Sequence, residues 1–287
     1  MAQAIFRHWD QDELNKQVSA RATVPDIAPF MQDYAQHSQR CRDLLTCKSD
    51  VPYGSSEAER LDIFPASKPG SPIFVFIHGG YWRMLDARDS SFMAQTFVEA
   101  GCAVVAINYA LAPSVSIAEI TRQCRAALAF IAKSAAMMNG DASRIHVCGS
   151  SAGGHLAGMM IARGWAVQYG LDEGFIQSAS ILSGLMDLEP VRLSYCNEWV
   201  QLDAQGAYAL SPIHHLPAAP LPLVVAYGSN ETTEFLRQSE IYAAACAAIG
   251  CNVSIKNEPQ SNHFDLPLRL MSPQSPLTRA VLSAMGL

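Results

Sequence analysis

Short apolar runs alternate with longer amphipathic stretches from about residue 59 to about residue 260 of this 287-residue chain. Short runs of consecutive apolar residues are typical of strands that are buried on both faces of a sheet. Seven such runs predict strands, and they read RLDIFPA, SPIFVFIHGG, CAVVAINY, RIHVCGS, SASILSG, LPLVVAYG and NVSIKNE. The first of them alternates between apolar and polar positions, which predicts a half-exposed strand.

Helical periodicity fills the intervals between these runs. In the segment SIAEITRQCRAALAFIAKSA, the apolar positions that share one helical face are Ile117, Ile120, Cys124, Leu128 and Ile131. The segments SSFMAQTFVEA and EFLRQSEIYAAACAAIG show a similar pattern, and the second ends at Gly250, a residue type that favours helix C-termini. Strands that alternate with helices predict an α/β fold whose mostly parallel sheet is covered by helices on both faces.

Two segments depart from this alternation. Residues 1–50 are polar, mixed in charge and interrupted by Pro25 and Pro29, which predicts short helices and loops that pack on the main body, with one longer helix at AQHSQRCRDLL. Residues from about 186 to 212 are polar and aromatic, and they predict a small lid over one end of the sheet. This second segment is too short for a separate domain, so we interpret residues 1–287 as a single domain, and the chain shows no internal repeat.

The charge balance argues against a nucleic-acid or membrane partner. Lys plus Arg number 20 and Asp plus Glu number 26, which gives a net charge of −6, and no basic run is present. The N-terminus carries charges where a signal peptide has its apolar core, and no apolar run approaches the ~18 residues of a membrane-spanning helix. We therefore expect a cytoplasmic protein.

The eight cysteines are scattered along the chain without a CxxC pair. This distribution predicts buried thiols in a reducing compartment, with a disulfide between Cys41 and Cys47 as the less favoured alternative. The same scatter gives no zinc-ligand spacing, so we expect no metal site.

The stretch CGSSAGGHLAG contains a GxSxG motif formed by Gly149, Ser151 and Gly153. In this motif a sharp strand-to-helix turn exposes one serine while the flanking glycines relieve crowding. A predicted strand precedes the motif and a predicted helix follows it, which is the context that the motif requires. The register makes Ser151 the candidate nucleophile and Ser150 the variable position.

A serine hydroxyl needs a histidine base and an acid that orients it, and in this type of sheet the chain order is serine, acid, histidine. Of the eight histidines, His263 alone follows the last predicted strand, in the loop PQSNHFDLP, and it is the predicted base. Glu231 follows the strand LPLVVAYG at its tip and is the predicted acid. Asp187 and Asp265 remain alternatives for that role.

The sequence HGGYW, residues 78–82, ends the first continuous apolar strand and is similar to the HGGG turn of lipases and esterases. Glycines let such a turn aim backbone N–H groups at a tetrahedral oxyanion, where each donor contributes roughly 3 to 4 kcal/mol. We expect an oxyanion hole that includes Gly79 and uses the amides of Gly80, Tyr81 and Ala152 as donors. An ordinary tight turn is the alternative, and the presence of the GSSAGG motif later in the chain argues against it.

Together, HGGYW, GSSAGGHLA and the late NHF resemble the α/β-hydrolase fold, in the branch shared by hormone-sensitive-lipase-like esterases and kynurenine formamidases (arylformamidases). Three segments are more similar to the formamidases: the turn with Tyr81 in place of a third glycine, SGLMDLEPVRLSYCNEWVQLD, and ETTEFLRQS. With VPYGSSEAERLDIFPA, the resemblance runs from about residue 50 to 270. Formamidases commonly have aspartate where this chain has Glu231.

The resemblance implies hydrolysis of an N-formyl aryl amine, such as N-formyl-L-kynurenine, by Ser151, Glu231 and His263 without metal or organic cofactor. Aromatic residues predicted to line the leaving-group pocket are Tyr81, Trp82, Tyr195, Trp199 and Phe264. Either Arg83 or Arg192 is a candidate to meet a substrate carboxylate, and a surface role is the alternative for both.

Three other functions compete with this reading. A short-acyl carboxylesterase would use the same triad, and a non-catalytic binding module could share the fold. A metal-dependent amidase would need clustered His and Asp residues that the sequence lacks. For the formamidase and for the carboxylesterase, the expected partner is a small aryl formamide or ester. The sequence also allows a homodimer.

Overall fold

A computed structural model describes residues 3–287 and contains one eight-stranded sheet. Its strands are β1 (Lys48–Pro52), β2 (Arg60–Phe64), β3 (Ser71–Ile77), β4 (Ala103–Ile107), β5 (Gly140–Ser150), β6 (Ile176–Leu182), β7 (Pro222–Gly228) and β8 (Asn252–Glu258). The spatial order is β1-β2-β4-β3-β5-β6-β7-β8. Strands β1 and β2 pair antiparallel with their neighbours, and the six others run parallel. The predicted α/β class and mostly parallel sheet are confirmed.

All seven predicted strands are present, and the structure adds β1 at one edge of the sheet. The sequence of β1, KSDVP, has no apolar run because four of its five residues are exposed to solvent. Only pairing with β2 identifies it as a strand. Edge strands often lack the apolar signal of central ones, since one side of the strand has no neighbour.

Ten α-helices surround the sheet: α1 (Gln11–Gln17), α2 (Ala28–Leu44), α3 (Ala94–Glu99), α4 (Ile117–Lys133), α5 (Ala152–Ile161), α6 (Glu189–Arg192), α7 (Asn197–Val200), α8 (Ala204–Ala209), α9 (Thr233–Ala248) and α10 (Pro276–Ala284), counted over residues 3–287. Buried residues of α4, α5 and α9 form one apolar core with the sheet. Those of α2, α3 and α10 form a second. Helices therefore cover both faces of the sheet.

Hydrogen bonds tie the N-terminal segment to the rest of the chain. The Tyr34 hydroxyl donates to the carbonyl of Phe264 at 2.5 Å, and the Thr232 hydroxyl donates to the carbonyl of Gln17 at 2.5 Å. Helix α2 is the longer helix that the sequence allowed in this segment, although it begins earlier, at Ala28. Residues 1 and 2 of the predicted extension lie outside the described part of the chain.

Three short helices, α6, α7 and α8, occupy the segment predicted as a lid. The amide of Ile213 donates to the carbonyl of Met186 at 3.0 Å, so the two ends of the segment lie close together. Its middle reaches the HGGYW turn, because the indole N–H of Trp199 donates to the carbonyl of Tyr81 at 3.1 Å. The segment thus lies beside the predicted oxyanion turn.

All eight cysteines are free thiols, and seven of them are buried. The alternative of a Cys41–Cys47 disulfide is therefore wrong, and Cys47 is only half-buried. Over residues 3–287, no helix is both long enough and apolar enough to cross a membrane.

Candidate active site

Ser151 lies at the junction between β5 and α5 in a strained backbone conformation, with φ 58° and ψ −119°. Its amide donates to the carbonyl of Leu182 on β6 at 2.8 Å, which holds the turn against the neighbouring strand. A Cβ atom on Gly149 would lie 2.1 Å from the carbonyl oxygen of Gly153, and one on Gly153 would lie 2.0 Å from that of Ile77. Glycine is therefore required on both sides of a serine that the turn forces into an uncommon conformation.

His263 and Glu231 form a buried hydrogen-bonded pair in which His263 Nδ1 lies 2.6 Å from Glu231 Oε2. The other carboxylate oxygen accepts from the Ser183 hydroxyl at 2.5 Å and from the Gly228 amide at 2.7 Å. These donors fix the carboxylate at the tip of β7. Because Nδ1–H donates to Glu231, Nε2 of His263 is the ring nitrogen that can accept a proton.

The two alternative acids have other partners. Asp187 lies 3.3 Å from the guanidinium of Arg237 and accepts from the amide of Glu189 at 3.1 Å. Asp265 accepts from the backbone and side-chain N–H groups of Asn262 at 3.1 and 3.0 Å. Among the three candidates, the structure therefore brings only Glu231 into contact with His263.

A cavity of about 250 Å³ brings the serine and the histidine together. Ser151, His263 and the turn from His78 to Tyr81 all contribute to its walls, whereas Glu231 lies behind the imidazole. Gly79 allows this close approach, because a Cβ there would lie 2.8 Å from the carbonyl oxygen of Ser150. The nucleophile candidate, the base candidate and the predicted oxyanion turn thus face one space.

Each candidate oxyanion donor shares a peptide group with a carbonyl whose hydrogen bonds fix the orientation of that peptide. The Gly80 carbonyl accepts from the amides of Arg83 and Met84 at 3.0 and 3.1 Å, and the Ser151 carbonyl accepts from the amide of His155 at 2.9 Å. In a trans peptide the N–H points opposite to the carbonyl. The N–H groups of Tyr81 and Ala152 therefore point away from these bonds, and neither donates a hydrogen bond within residues 3–287.

The Gly79–Gly80 peptide is held by two buried rings. The Tyr109 hydroxyl donates toward the carbonyls of His78 and Gly79 at 2.8 and 3.2 Å, and its ring stacks on His78 with centroids 4.1 Å apart. Burial lowers the pKa of His78 to about 4, so the ring is neutral near pH 7 and its Nδ1–H donates to the Gly79 carbonyl at 2.9 Å. Both contacts aim the Gly80 N–H to the opposite side of the peptide.

Comparison with known proteins shows the family of this chain. The kynurenine formamidase of Danio rerio is 32% identical over 98% of this chain and 98% of its own length. The chain belongs to the kynurenine formamidase family. The BD-FAE family model matches residues 61–174, and the esterase LipQ of Mycobacterium tuberculosis is 28% identical over 78% of this chain and 59% of its own length.

A solved structure shares the fold of this kynurenine formamidase family member. A candidate thioesterase from Silicibacter sp. TM1040 superposes with a TM-score of 0.82 at 28% identity and covers 94% of this chain and 99% of its own. The protein is therefore a hydrolase with the α/β-hydrolase fold, as the sequence motifs predicted.

Four of the five aromatic residues predicted for the substrate pocket of this family member do line the cavity, and these are Tyr81, Tyr195, Trp199 and Phe264. The prediction for Trp82 is wrong. Its side chain is 0% exposed and packs edge-on against His155 and Tyr81, with ring centroids 5.1 and 5.7 Å away. Positive φ angles at Gly80, Tyr81 and Trp82 coil the turn tightly, so that Trp82 enters the core beside α5.

Of the two candidate arginines, one lines the cavity and the other does not. Arg83 lines the cavity of the family member with its guanidinium 4.3 Å from the centre of the Trp199 ring. Arg192 instead pairs with Glu189 at 2.6 Å on α6 and does not line the cavity. The pairing of Arg192 is a local contact within one helical turn.

Several residues of the formamidase-family site were not predicted. Residues of the N-terminal segment that line the cavity are Ala20, Arg21, Ile27, Met31 and Tyr34. Their contacts join distant parts of the chain, so no periodicity signals them. The sequence does indicate a place for Tyr109 near the site. It follows β4, and the carboxyl end of β4 lies next to that of β3 in the parallel sheet.

We expect Tyr109→Phe to lower kcat about tenfold and to change KM less than about twofold, since a loosened amide loses part of the ~10² to 10³ that an oxyanion donor supplies. Steady-state kinetics with p-nitrophenyl acetate would measure both constants. Tyr53→Phe is the matched control, because it also removes a tyrosine hydroxyl that donates to a backbone carbonyl, that of Asn108 at 2.6 Å, and it lies outside the cavity. An equal loss in both variants would contradict a positioning role for Tyr109.

Proposed function

We propose that this family member hydrolyses N-formyl aryl amines, such as N-formyl-L-kynurenine, to formate and the free aryl amine. The observation that carries the proposal is the hydrogen bond between His263 and Glu231, because His263 lines the same cavity as Ser151, Gly80 and Tyr81. The full-length likeness to a kynurenine formamidase supports the substrate class. In this proposal Ser151, His263 and Glu231 form the catalytic triad.

The first half-reaction acylates the serine. Ser151 Oγ attacks the formyl carbon while His263 Nε2 accepts the hydroxyl proton, and the carbonyl π electrons move onto the oxygen. The amides of Gly80, Tyr81 and Ala152 bind this oxyanion. Glu231 stays ionised and stabilises the imidazolium through the hydrogen bond to Nδ1.

Collapse of the first tetrahedral intermediate completes acylation, and hydrolysis of the acyl-enzyme then restores the free enzyme. The C–N bond breaks as the imidazolium donates its Nε2 proton to the amine nitrogen, which leaves a formyl ester on Ser151 and releases the aryl amine. Water then attacks the formyl carbon while His263 accepts one of its protons. Collapse of the second tetrahedral intermediate releases formate and returns the proton to Ser151.

The cavity walls suit the two parts of this substrate. Formyl is the smallest acyl group, and the leaving group is an aromatic amine that can pack against aromatic side chains. Tyr81, Tyr195, Trp199 and Phe264 supply that aromatic surface.

We also propose that residues 186–212, which include Tyr195 and Trp199, act as a lid, and that the single domain works in the cytoplasm. Its eight free thiols support that location. A homodimer stays a prediction.

The test compares kcat/KM for N-formyl-L-kynurenine with kcat/KM for p-nitrophenyl acetate. Esters are cleaved more easily than amides, so ester turnover alone decides nothing. We expect the formamide to reach about 10⁴ M⁻¹s⁻¹ or more, within the usual enzymatic range. A negligible value for the formamide together with rapid ester turnover would favour the second candidate, a carboxylesterase, which the likeness to LipQ supports.

A further inference from the structure

The walls of the cavity carry positive charge although the chain as a whole is acidic. The net charge of the protein is −6, yet the cavity is lined by Arg21 and Arg83 and by no aspartate or glutamate in the part of the chain that the structure describes. Both arginines are exposed to solvent, which places their charges where the cavity opens. The local charge is thus opposite in sign to that of the whole protein.

Arg21 is held at this position by the turn that carries the oxyanion amides. It lies in a short 3-10 turn (Ala20–Thr23), and just before this turn the Val18 carbonyl accepts from the Tyr81 hydroxyl at 2.6 Å. The guanidinium Nη2 of Arg21 lies 3.8 Å from the sulfur of Met84. The N-terminal segment therefore brings a cation to the wall formed by the HGGYW turn.

Arg83 is anchored to the same turn from the other side. Its guanidinium lies over the Trp199 ring, 4.3 Å from the centroid, and the Trp199 indole N–H donates to the Tyr81 carbonyl at 3.1 Å. Stacking on an aromatic face orients a guanidinium while leaving its N–H edge free for an anion.

Neither arginine has an acidic partner within residues 3–287. Elsewhere in the described chain, the arginines that form ion pairs are Arg42, Arg88, Arg122, Arg192 and Arg237, and the other arginines without an acidic partner lie outside this cavity. Arginine is well suited to bind carboxylates through two parallel hydrogen bonds. Two such groups at one cavity, both without a protein carboxylate, are available to a ligand.

We propose that Arg21 and Arg83 bind a carboxylate carried by the leaving group of the substrate, and that this makes the enzyme selective for aryl substrates with a carboxylate over those without one. The assignment rests on the proposed function in taking the leaving group to be the part that faces these residues. In N-formyl-L-kynurenine a carboxylate lies several bonds from the formamide, on the amine side of the scissile bond. Binding there holds the leaving group without taking part in the bond cleavage.

The test uses a matched pair of aryl acetates, 3-acetoxybenzoate and its methyl ester, which differ in the charge of the leaving group. For Arg21→Gln or Arg83→Gln we expect the ratio of kcat/KM for the anion to kcat/KM for the neutral ester to fall about threefold, and about tenfold for the double variant, through KM. The neutral ester should change less than about twofold. Arg163→Gln, an exposed arginine outside the cavity, is the control.

An unchanged ratio in the double variant, or an equal loss for both esters, would overturn the assignment. Failure to cleave N-formyl-L-kynurenine would refute the proposed function. The ratio measured with the two acetates could still be interpreted, because both probes are esters. Calorimetric binding of 3-acetamidobenzoate and its methyl ester to Ser151→Ala gives a second readout that needs no turnover. There the anion should bind more tightly than the ester, and the double variant should remove the difference. Equal binding of both compounds before and after substitution would also refute the assignment.

Discussion

Replacement of Ser151 by alanine is expected to reduce kcat/KM by at least about 10⁴-fold, whereas Ser150→Ala should reduce it by less than about tenfold. Only Ser151 occupies the strained turn, and it shares the cavity with His263. Without its hydroxyl no formyl-enzyme can form, so only binding and the oxyanion amides would remain. Initial rates with N-formyl-L-kynurenine and p-nitrophenyl acetate would measure both variants.

Ser150 is a close control for Ser151 because the two side chains are adjacent, equally buried at 7% exposure, and both line the cavity. Each variant removes one hydroxyl, so a general effect of the substitution on packing would appear in both. Thermal unfolding would check that the two proteins are folded. A large loss in Ser150→Ala with near-normal turnover in Ser151→Ala would place the nucleophile one residue earlier and refute the site.

Glu231→Gln is expected to lower kcat by about 10³ to 10⁴-fold with little change in KM, by analogy with the loss of about 10⁴ when the triad acid of a serine protease becomes an amide. The amide oxygen can still accept from Ser183 and Gly228, so its NH₂ group would face His263 Nδ1. That contact forces the histidine proton onto Nε2. The base then has no free lone pair for the Ser151 proton.

Asp187→Asn is the matched control for this substitution, since it makes the same chemical change at the alternative acid. Asp187 is paired with Arg237 and has no contact with His263, so kcat should change less than about threefold. Pre-steady-state acylation rates would show whether the loss in Glu231→Gln lies in the chemical step. A larger loss in Asp187→Asn than in Glu231→Gln would assign the acid to Asp187.

The candidate site could be predicted as far as chain order and local turns define it. The strand-to-helix context of Ser151 and the position of His263 after the last strand depend on the order of elements, which hydrophobic patterns reveal. The sequence alone does not decide between Glu231 and Asp187, because the choice depends on which carboxylate another side chain neutralises. Arg237, about 50 residues after Asp187 in the chain, does so here.

The parts that sequence could not predict depend on long-range packing and on turn geometry. Arg21 and Tyr34 reach the cavity through hydrogen bonds between the N-terminal segment and loops far away in the chain, and local patterns carry no information about such contacts. The prediction for Trp82 is wrong because its place in the HGGYW turn does not reveal which way its ring points. The consecutive positive φ angles at Tyr81 and Trp82 bury its ring in the core.

The most direct test of Ser151 as an activated nucleophile is labelling of the folded protein with a fluorophosphonate, followed by mass spectrometry of its peptides. We expect one adduct, on Ser151, with labelling that is slowed by N-formyl-L-kynurenine and nearly abolished by His263→Ala. An adduct on any other residue, or no adduct on the intact folded chain, would contradict the account.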